Sequence, residues 1–370
     1  MSDDRLLDAI RLNSVAGVGP RLQMLLLERF GSPAAVLSAS GTDLLEVPGV
    51  GAKLSVEITK ARNSDVAETE LRRCEELGIT PLLQDDDRYP GPLREICDPP
   101  QVLYSRGELQ PCDSLAIAIV GTRRCTHYGR QQAERFAAAL ARAGFTIVSG
   151  LARGIDGAAH RAALGAGGRT LAVFGTGLGS IYPPEHRVLA DEVARHGALL
   201  SEAPVDRGPT RGVFPQRNRI IAGLCRGVII VEAGRQSGSL HTARHALEQG
   251  REVFAIPGQI DNPECHGCLD LIRDGVTLAR SVDDVLEELG PLPSPVQVDA
   301  DNVVLTPREL VLNEQERAVL GAIETQPQPV DLILSRVELE TSRVLATLTA
   351  LEMRRLVKRL PGGLIMRVSH

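Results

Sequence analysis

The chain has 370 residues, enough for two or three domains, and its 43% hydrophobic and 24% charged content is ordinary for a globular protein. No run approaches the roughly 20 apolar residues needed to cross a bilayer, and the acidic start Met1–Arg5 lacks the basic head and apolar core of a signal peptide, so a cytoplasmic protein is expected. A net charge of −6 does not exclude a polyanionic partner, because Arg207 to Val231 holds five Arg and no acid while acids gather at Asp85–Asp87 and Asp283–Glu288.

Residues 1–82 are expected to form a small helical domain. Two similar signals recur in it, Val15-Ala16-Gly17-Val18-Gly19-Pro20 and Val47-Pro48-Gly49-Val50-Gly51-Ala52, each followed by an apolar helical stretch, Leu22–Phe30 and Leu54–Ala61. This is the pattern of a helix-hairpin-helix (SAM-like) doublet. Its glycines allow a tight turn and let backbone N–H groups approach a phosphate, which makes Gly17, Gly19, Gly49 and Gly51 candidates for DNA contact. Helical turns that bind nothing have the same pattern.

Residues 83–290 are expected to form a Rossmann-like domain with an N-terminal strap. The strap carries Tyr89-Pro90, Pro99-Pro100 and Leu103-Tyr104, and prolines at this density predict an extended segment. Strands are predicted at Leu115–Val120, Phe145–Ser149, Thr170–Phe174, Ala198–Ser201, Gly227–Val231 and Val253–Ile256. Helices are predicted at Arg130–Arg142, Ile155–Ala166, Glu185–His196 and Gly238–Gln249. Near-continuous Val, Ile, Leu and Ala runs of this kind suit a parallel sheet covered on both faces, hence a doubly wound α/β fold. Residues 291–307, rich in proline, read as a linker. Residues 308–370, three helices and a terminal hairpin, read as a winged helix, with Arg354 and Arg355 as further candidates for DNA contact, although Glu340 and Glu352 dilute the charge and a protein-contact role fits the same pattern.

In a doubly wound fold, ligands bind outside the carboxyl ends of the strands. The first predicted strand ends in Gly121-Thr122-Arg123, which offers amides, a hydroxyl and a guanidinium to a phosphate. No G-x-G-x-x-G follows it, so a dinucleotide cofactor is not expected. The second ends in Ser149–Asp156, with Arg153 inside it and His160 four residues beyond Asp156. Asp156 and His160 share a helix face, but no Ser or Cys nucleophile accompanies them, so structural roles are expected and no catalytic residue is assigned. Arg211, Arg217 and Arg219 can pair with phosphates while Phe214 offers a ring to a base, and Asn218 lies among them. The competing reading buries Phe214 and pairs Arg217 with Glu202 or Glu232. Ser237-Gly238-Ser239 opens a helix and forms another phosphate cradle. Cys265 and Cys268 form a C-x-x-C with no second Cys/His pair at suitable spacing, so no metal is expected. Seven scattered cysteines likewise argue against a disulfide framework.

These motifs together resemble the DprA/Smf family of DNA-processing proteins. The resemblance rests on Asp87–Pro90, Val120–Arg123, Ser149–Asp156 with His160, Tyr182-Pro183, Phe214–Gly223, Glu232-Ala233, Ser237–Leu240, and Ala255 to Gly258 with Gly267-Cys268. It implies a homodimer, not an enzyme, that binds and protects incoming single-stranded DNA in natural transformation and recombination. Such a protein loads RecA and displaces single-strand-binding protein, and duplex DNA is a further candidate partner. It implies DNA contacts at Gly121, Thr122, Arg123, Arg211, Phe214, Arg217, Asn218, Ser237, Gly238 and Ser239. Relatives are basic near Tyr182-Pro183, where this chain has Glu185-His186-Arg187, which makes Arg187 a weaker candidate. Two rival readings remain. One is a nucleotide-hydrolysing enzyme of the lysine-decarboxylase-like (LOG) type, although Ala243 and Arg244 stand where its helix acid belongs. The other is a structural protein that binds duplex DNA.

Overall fold

The computed structural model describes residues 2–210 and 212–290 and, toward the C-terminus, 314–323, 326–337, 339, 341, 343–344, 347–348, 351, 356–360 and 364–367. The chain divides into two compact units, one of Met1–Ala141 with Phe145–Leu289 and one that includes Gly290–His370.

The first unit opens with helices α1 (Ser2–Ser14), α2 (Pro20–Phe30), α3 (Pro33–Ser38), α4 (Gly41–Leu45), α5 (Ala52–Ala61) and α6 (Val66–Leu77). Gly17 and Gly49 take φ of 99° and 98°, so each hairpin turns through a left-handed residue before α2 and before α5. Pro20 starts α2 at a position where its missing N–H costs nothing. The two hairpins pack on each other around Leu12, Leu26, Val36, Leu44 and Ile58.

The sheet follows as β1 (Ile79–Leu83), α7 (Gly91–Arg94), β2 (Val102–Gly107), β3 (Ala116–Val120), α8 (His127–Arg142), β4 (Thr146–Ser149), α9 (Ile155–Gly165), β5 (Thr170–Phe174), α10 (Arg187–His196), β6 (Gly197–Ser201), α11 (Val213–Gly223), β7 (Gly227–Ile230), α12 (Ser239–Glu248), β8 (Glu252–Ala255), α13 (His266–Arg273), β9 (Thr277–Leu278) and α14 (Val282–Glu288). Among the described residues it has nine strands in the order β1-β2-β6-β5-β4-β3-β7-β8-β9. From β6 to β9 every pairing is parallel, whereas β1 with β2 and β2 with β6 are antiparallel.

The structure corrects the sequence reading at the strap, because β2 is a ladder strand that pairs Tyr104 with Ser201, and β1 extends the sheet beyond it. Pro81 is compatible with β1 because β1 is the edge strand, where a missing ladder donor is tolerated. A helix over the Phe214 stretch was also not foreseen. Pro215 falls in the first turn of α11, where no intrahelical N–H bond is lost.

Each sheet face is covered. On one, Ala118, Val148, Val173 and Val228 pack with Ile220, Ile221, Ala243 and Ala246 of α11 and α12. On the other, Val102, Tyr104, Ala172 and Leu199 pack with Ala9 and Ile10 of α1 and Ala67 and Cys74 of α6. The N-terminal helices thus share a core with the sheet.

In the second unit β10 (Gln328–Pro329), β12 (Leu364–Arg367) and β11 (Val357–Leu360) form a three-stranded antiparallel sheet. Helices Glu314–Gly321 and Val330–Arg336 accompany it, over a core that includes Val319, Ile333, Leu348 and Ile365. This is a winged helix. The expected linker 291–307, Arg354 and Arg355 lie outside the described residues. No helix among the described residues is long and apolar enough to cross a membrane.

Candidate nucleic-acid interface

The chain runs from β3 to β4 on one side and later returns to place β7 on the other side of β3. That reversal opens a crevice above the carboxyl ends of β3 and β7, where doubly wound folds bind ligands. A cavity of about 430 Å³ lies there, lined by the 120–124 loop, Ala152, Asp156, residues of α11, Gly234, residues 236–239 and Glu264. Of the sequence candidates, Gly121, Thr122, Arg123, Phe214, Arg217, Asn218, Ser237, Gly238 and Ser239 line it. Arg124, Gln236 and Thr242 line it too and were not singled out from sequence. The signal for Arg124 was its place beside Arg123 at a strand end.

Close packing dictates the residue at 121, because a Cβ there would lie 2.6 Å from Ile155 Cγ1 and 2.9 Å from the Glu232 carbonyl oxygen. The Thr122 amide donates to the Glu232 carbonyl at 2.6 Å, so that N–H is not available to a ligand, contrary to the simplest phosphate-loop reading. Arg123 and Arg124 are exposed, and among the described residues neither has an ion pair. The Arg123 guanidinium instead lies 5.3 Å from the centroid of the Phe214 ring. Asn218 Nδ2 donates to the Gly238 carbonyl at 3.1 Å, which ties α11 to the loop before α12, and the Ser237 and Ser239 hydroxyls are 2.8 Å apart. Those hydroxyls stand at the start of the ten-residue α12, which turns its positive dipole end toward the cavity, although the Leu240 and His241 amides already donate to the Ser237 and Gly238 carbonyls, each at 3.2 Å.

The arginines of α11 differ sharply from one another. Arg217 is buried at the cavity floor, where Nη1 donates to the Gly150 carbonyl at 2.9 Å and to that of Val173, and Nε donates to Asn218 Oδ1 at 3.1 Å. Burial draws its pKa down to about 10, and nearby Asp156 favours its charge. It supplies positive potential from below, not a rim contact. Arg219 contradicts its assignment to DNA: its side chain is 4% exposed and it pairs with Asp98 at 3.2 Å and Glu202 at 2.5 Å. The acid expected to neutralise Arg217 therefore neutralises its neighbour two residues on. Arg217 and Arg219, two positions apart on α11, thus turn to different partners, one to the carbonyls of the cavity floor and the other to Asp98 and Glu202.

The remaining candidates scatter. Arg153 is exposed but paired with Glu185, and it does not line the cavity. Arg187 is exposed on α10 and lies outside the lining. Arg211 lies outside the described residues. Gly17 and Gly19 line a second cavity of about 220 Å³ with Arg207, Gln216 and Arg217, whereas Gly51 has no heavy atom within 4 Å of where a Cβ would sit.

The titratable groups that resemble a catalytic pair are committed to structure. Asp156, buried, accepts from the amides of Gly150 at 3.1 Å and Ala152 at 3.4 Å, and burial raises its pKa. His160 is wholly buried, with Nδ1 2.7 Å from the Thr170 hydroxyl. Glu232, at the end of β7, accepts from the Thr126 amide and hydroxyl, each at 2.8 Å. Cys265 lies beside Glu232, its Sγ 4.0 Å from Oε1, and among the described residues no group of three or more potential metal ligands is found.

His160 gives the fold a pH dependence. Burial lowers its pKa from 6.5 to about 3, so between those values the unfolded chain binds a proton that the folded chain does not. Stability present above pH 6.5 therefore falls as the pH drops, by about 2 kcal/mol at pH 5. In urea unfolding at pH 7 and pH 5, His160→Gln is expected to lose less stability than the parent by about that amount.

The fold and site define a Rossmann-type α/β protein whose ligand edge carries basic side chains, with hairpin helices before it in the chain and a winged helix after it. The chain belongs to the DprA/Smf family: residues 80–290 match DNA recombination-mediator protein A, 305–363 the DprA winged helix domain and 9–62 the SAM-like helix-hairpin-helix tandem. It is 37% identical over 380 residues to Protein Smf of Synechocystis, covering 95% of this chain and 96% of that one. The crystal structure of DNA processing protein A from Streptococcus pneumoniae matches with TM-score 0.65 and 36% identity, covering 76% of this chain and 95% of that one. A DNA processing protein A from Helicobacter pylori, studied for its single-stranded DNA binding mode, matches with TM-score 0.52 and 32% identity, covering 57% of this chain and 95% of that one.

Proposed function

We propose that the carboxyl edge of the sheet grips single-stranded DNA without performing chemistry on it. One observation carries this reading: the switch-point cavity combines Arg123 and Arg124, exposed and without an ion pair among the described residues, with the Phe214 ring and the start of α12. Basic groups that follow the backbone beside a ring that accepts bases are the recipe for sequence-tolerant binding of an unpaired strand. The DNA contacts proposed are Gly121, Thr122, Arg123, Phe214, Asn218, Ser237, Gly238 and Ser239, with Arg217 acting from the floor. Family membership supports the further reading of a cytoplasmic homodimer that protects incoming single strands during transformation and recombination and loads RecA onto them in place of single-strand-binding protein.

Titration of labelled single- and double-stranded oligonucleotides at several salt concentrations tests the grip. Preference for the unpaired strand, unchanged after removal of 308–370, is the expected result, and loss of all single-strand binding in that truncation moves the site elsewhere. RecA filament formation on strands coated with single-strand-binding protein tests the loading step. Incubation with AMP and GMP tests the enzymatic rival, and free base released at catalytic rates overturns the non-enzymatic reading.

A further inference from the structure

We propose that Glu232 is a positioning residue of the interface: its carbonyl and its carboxylate hold the two ends of the loop that presents Arg123 and Arg124 to a strand. This rests on the reading of the switch-point edge as a single-strand site.

Glu232 follows β7 and is buried, and it does not line the switch-point cavity, so it touches no occupant. Its carbonyl accepts the Thr122 amide at 2.6 Å, just beyond β3. Its carboxylate accepts the Thr126 amide and hydroxyl, each at 2.8 Å, just before α8. Arg123, Arg124 and Cys125 are the residues between those two anchors, and both arginines line the cavity. One residue thus fixes both ends of a three-residue tip.

Thr126 passes the constraint on to α8. Its hydroxyl oxygen also accepts the Gly129 amide at 3.1 Å, which makes it the N-terminal cap of that helix. The carboxylate therefore lies at the positive end of a sixteen-residue helix. That dipole and the two bonds to Thr126 support its charge, although among the described residues it has no ion pair. Gly129 leaves it room, because a Cβ there would strike Oε2 and lie 2.8 Å from Cδ. Cys265 Sγ lies on it too, 4.0 Å from Oε1. A buried acid enclosed this closely has one position, and so has the loop it holds.

Charge and position predict opposite results. On charge alone, a carboxylate behind a phosphate site opposes binding, and its removal should tighten the complex. Positioning predicts weaker binding, because arginines on a loose tip lose more conformational freedom when a strand orders them.

Glu232→Ala is therefore expected to weaken binding of a labelled oligothymidylate about tenfold. Glu232→Gln, which keeps two hydrogen bonds to Thr126, should recover most of that loss. Gly129→Ala alters no charge and installs the better helix former, yet it displaces the carboxylate and should weaken binding in the same direction. In a chain that carries Arg123→Ala and Arg124→Ala, each of these changes should lose its effect, since the side chains it positions are gone. Urea unfolding establishes which variants are folded. Thr126→Val keeps the shape of the residue without its hydroxyl and carries the test where Glu232→Ala does not fold, with Thr126→Ser as its rescue. Parental or tighter binding in Glu232→Ala, or an equal loss in the chain without the two arginines, overturns the positioning role and leaves the single-strand reading intact. A parent chain that binds no single strand overturns both.

Discussion

Replacing Arg123 with Ala is expected to weaken single-strand binding about tenfold to a hundredfold, nearly equally across sequences, the range set by loss of a charge-assisted contact of about 1.5–3 kcal/mol. Arg123 is free to act because it is exposed and, among the described residues, has no ion pair, its guanidinium lying over the Phe214 ring. A lost phosphate contact also releases fewer counterions on binding. The slope of log affinity against log salt should therefore shrink by about 0.7 for a single strand. Affinity measured from low to moderate salt reads both effects together, and an unchanged slope removes Arg123 from the phosphate contacts. Arg124→Ala serves as the parallel case, since it lines the same cavity.

Arg219→Ala should act in the opposite way, with a large loss of stability and no change in salt slope. Its guanidinium is enclosed between Asp98 and Glu202, and burial already raises the Glu202 pKa. Removing the cation strands two carboxylates around a buried position, and breaking such a pair costs about 3–5 kcal/mol. Urea unfolding at pH 7 measures it. Lowering the pH toward the raised Glu202 pKa should recover part of the loss, because a protonated Glu202 no longer needs the partner. Two arginines in one basic region thus divide into a ligand contact and a core tie, and the two experiments separate them.

How much of this was readable beforehand follows from the physics of each segment. Strands β3 to β8 were legible because both faces are covered and their residues are almost all apolar, as in Ala116–Val120. Strands β1 and β2 were not, since Pro81 and the prolines before β2 argue against ladder pairing until the edge position of β1 is known. The cavity residues at 121–123 and 237–239 were legible from their position at strand ends. The fates of Arg217 and Arg219 depended on Asp98 and Glu202, which lie remote in the chain and reach α11 only in the fold. The helix that turns the two arginines to different partners was itself not expected from the sequence, so their divergence was not legible there.

The reversal of the sheet between β3 and β7 has a thermodynamic corollary. Residue 121 and residue 238 meet above it although more than a hundred positions separate them, so the unfolded chain holds no fragment of the pocket. An occupant of that crevice binds the native state alone and raises the unfolding free energy by mass action, by about 2.7 kcal/mol at a hundred times its dissociation constant. Oligonucleotides that fit the crevice thus announce themselves as a concentration-dependent rise in melting temperature, with no label on either molecule.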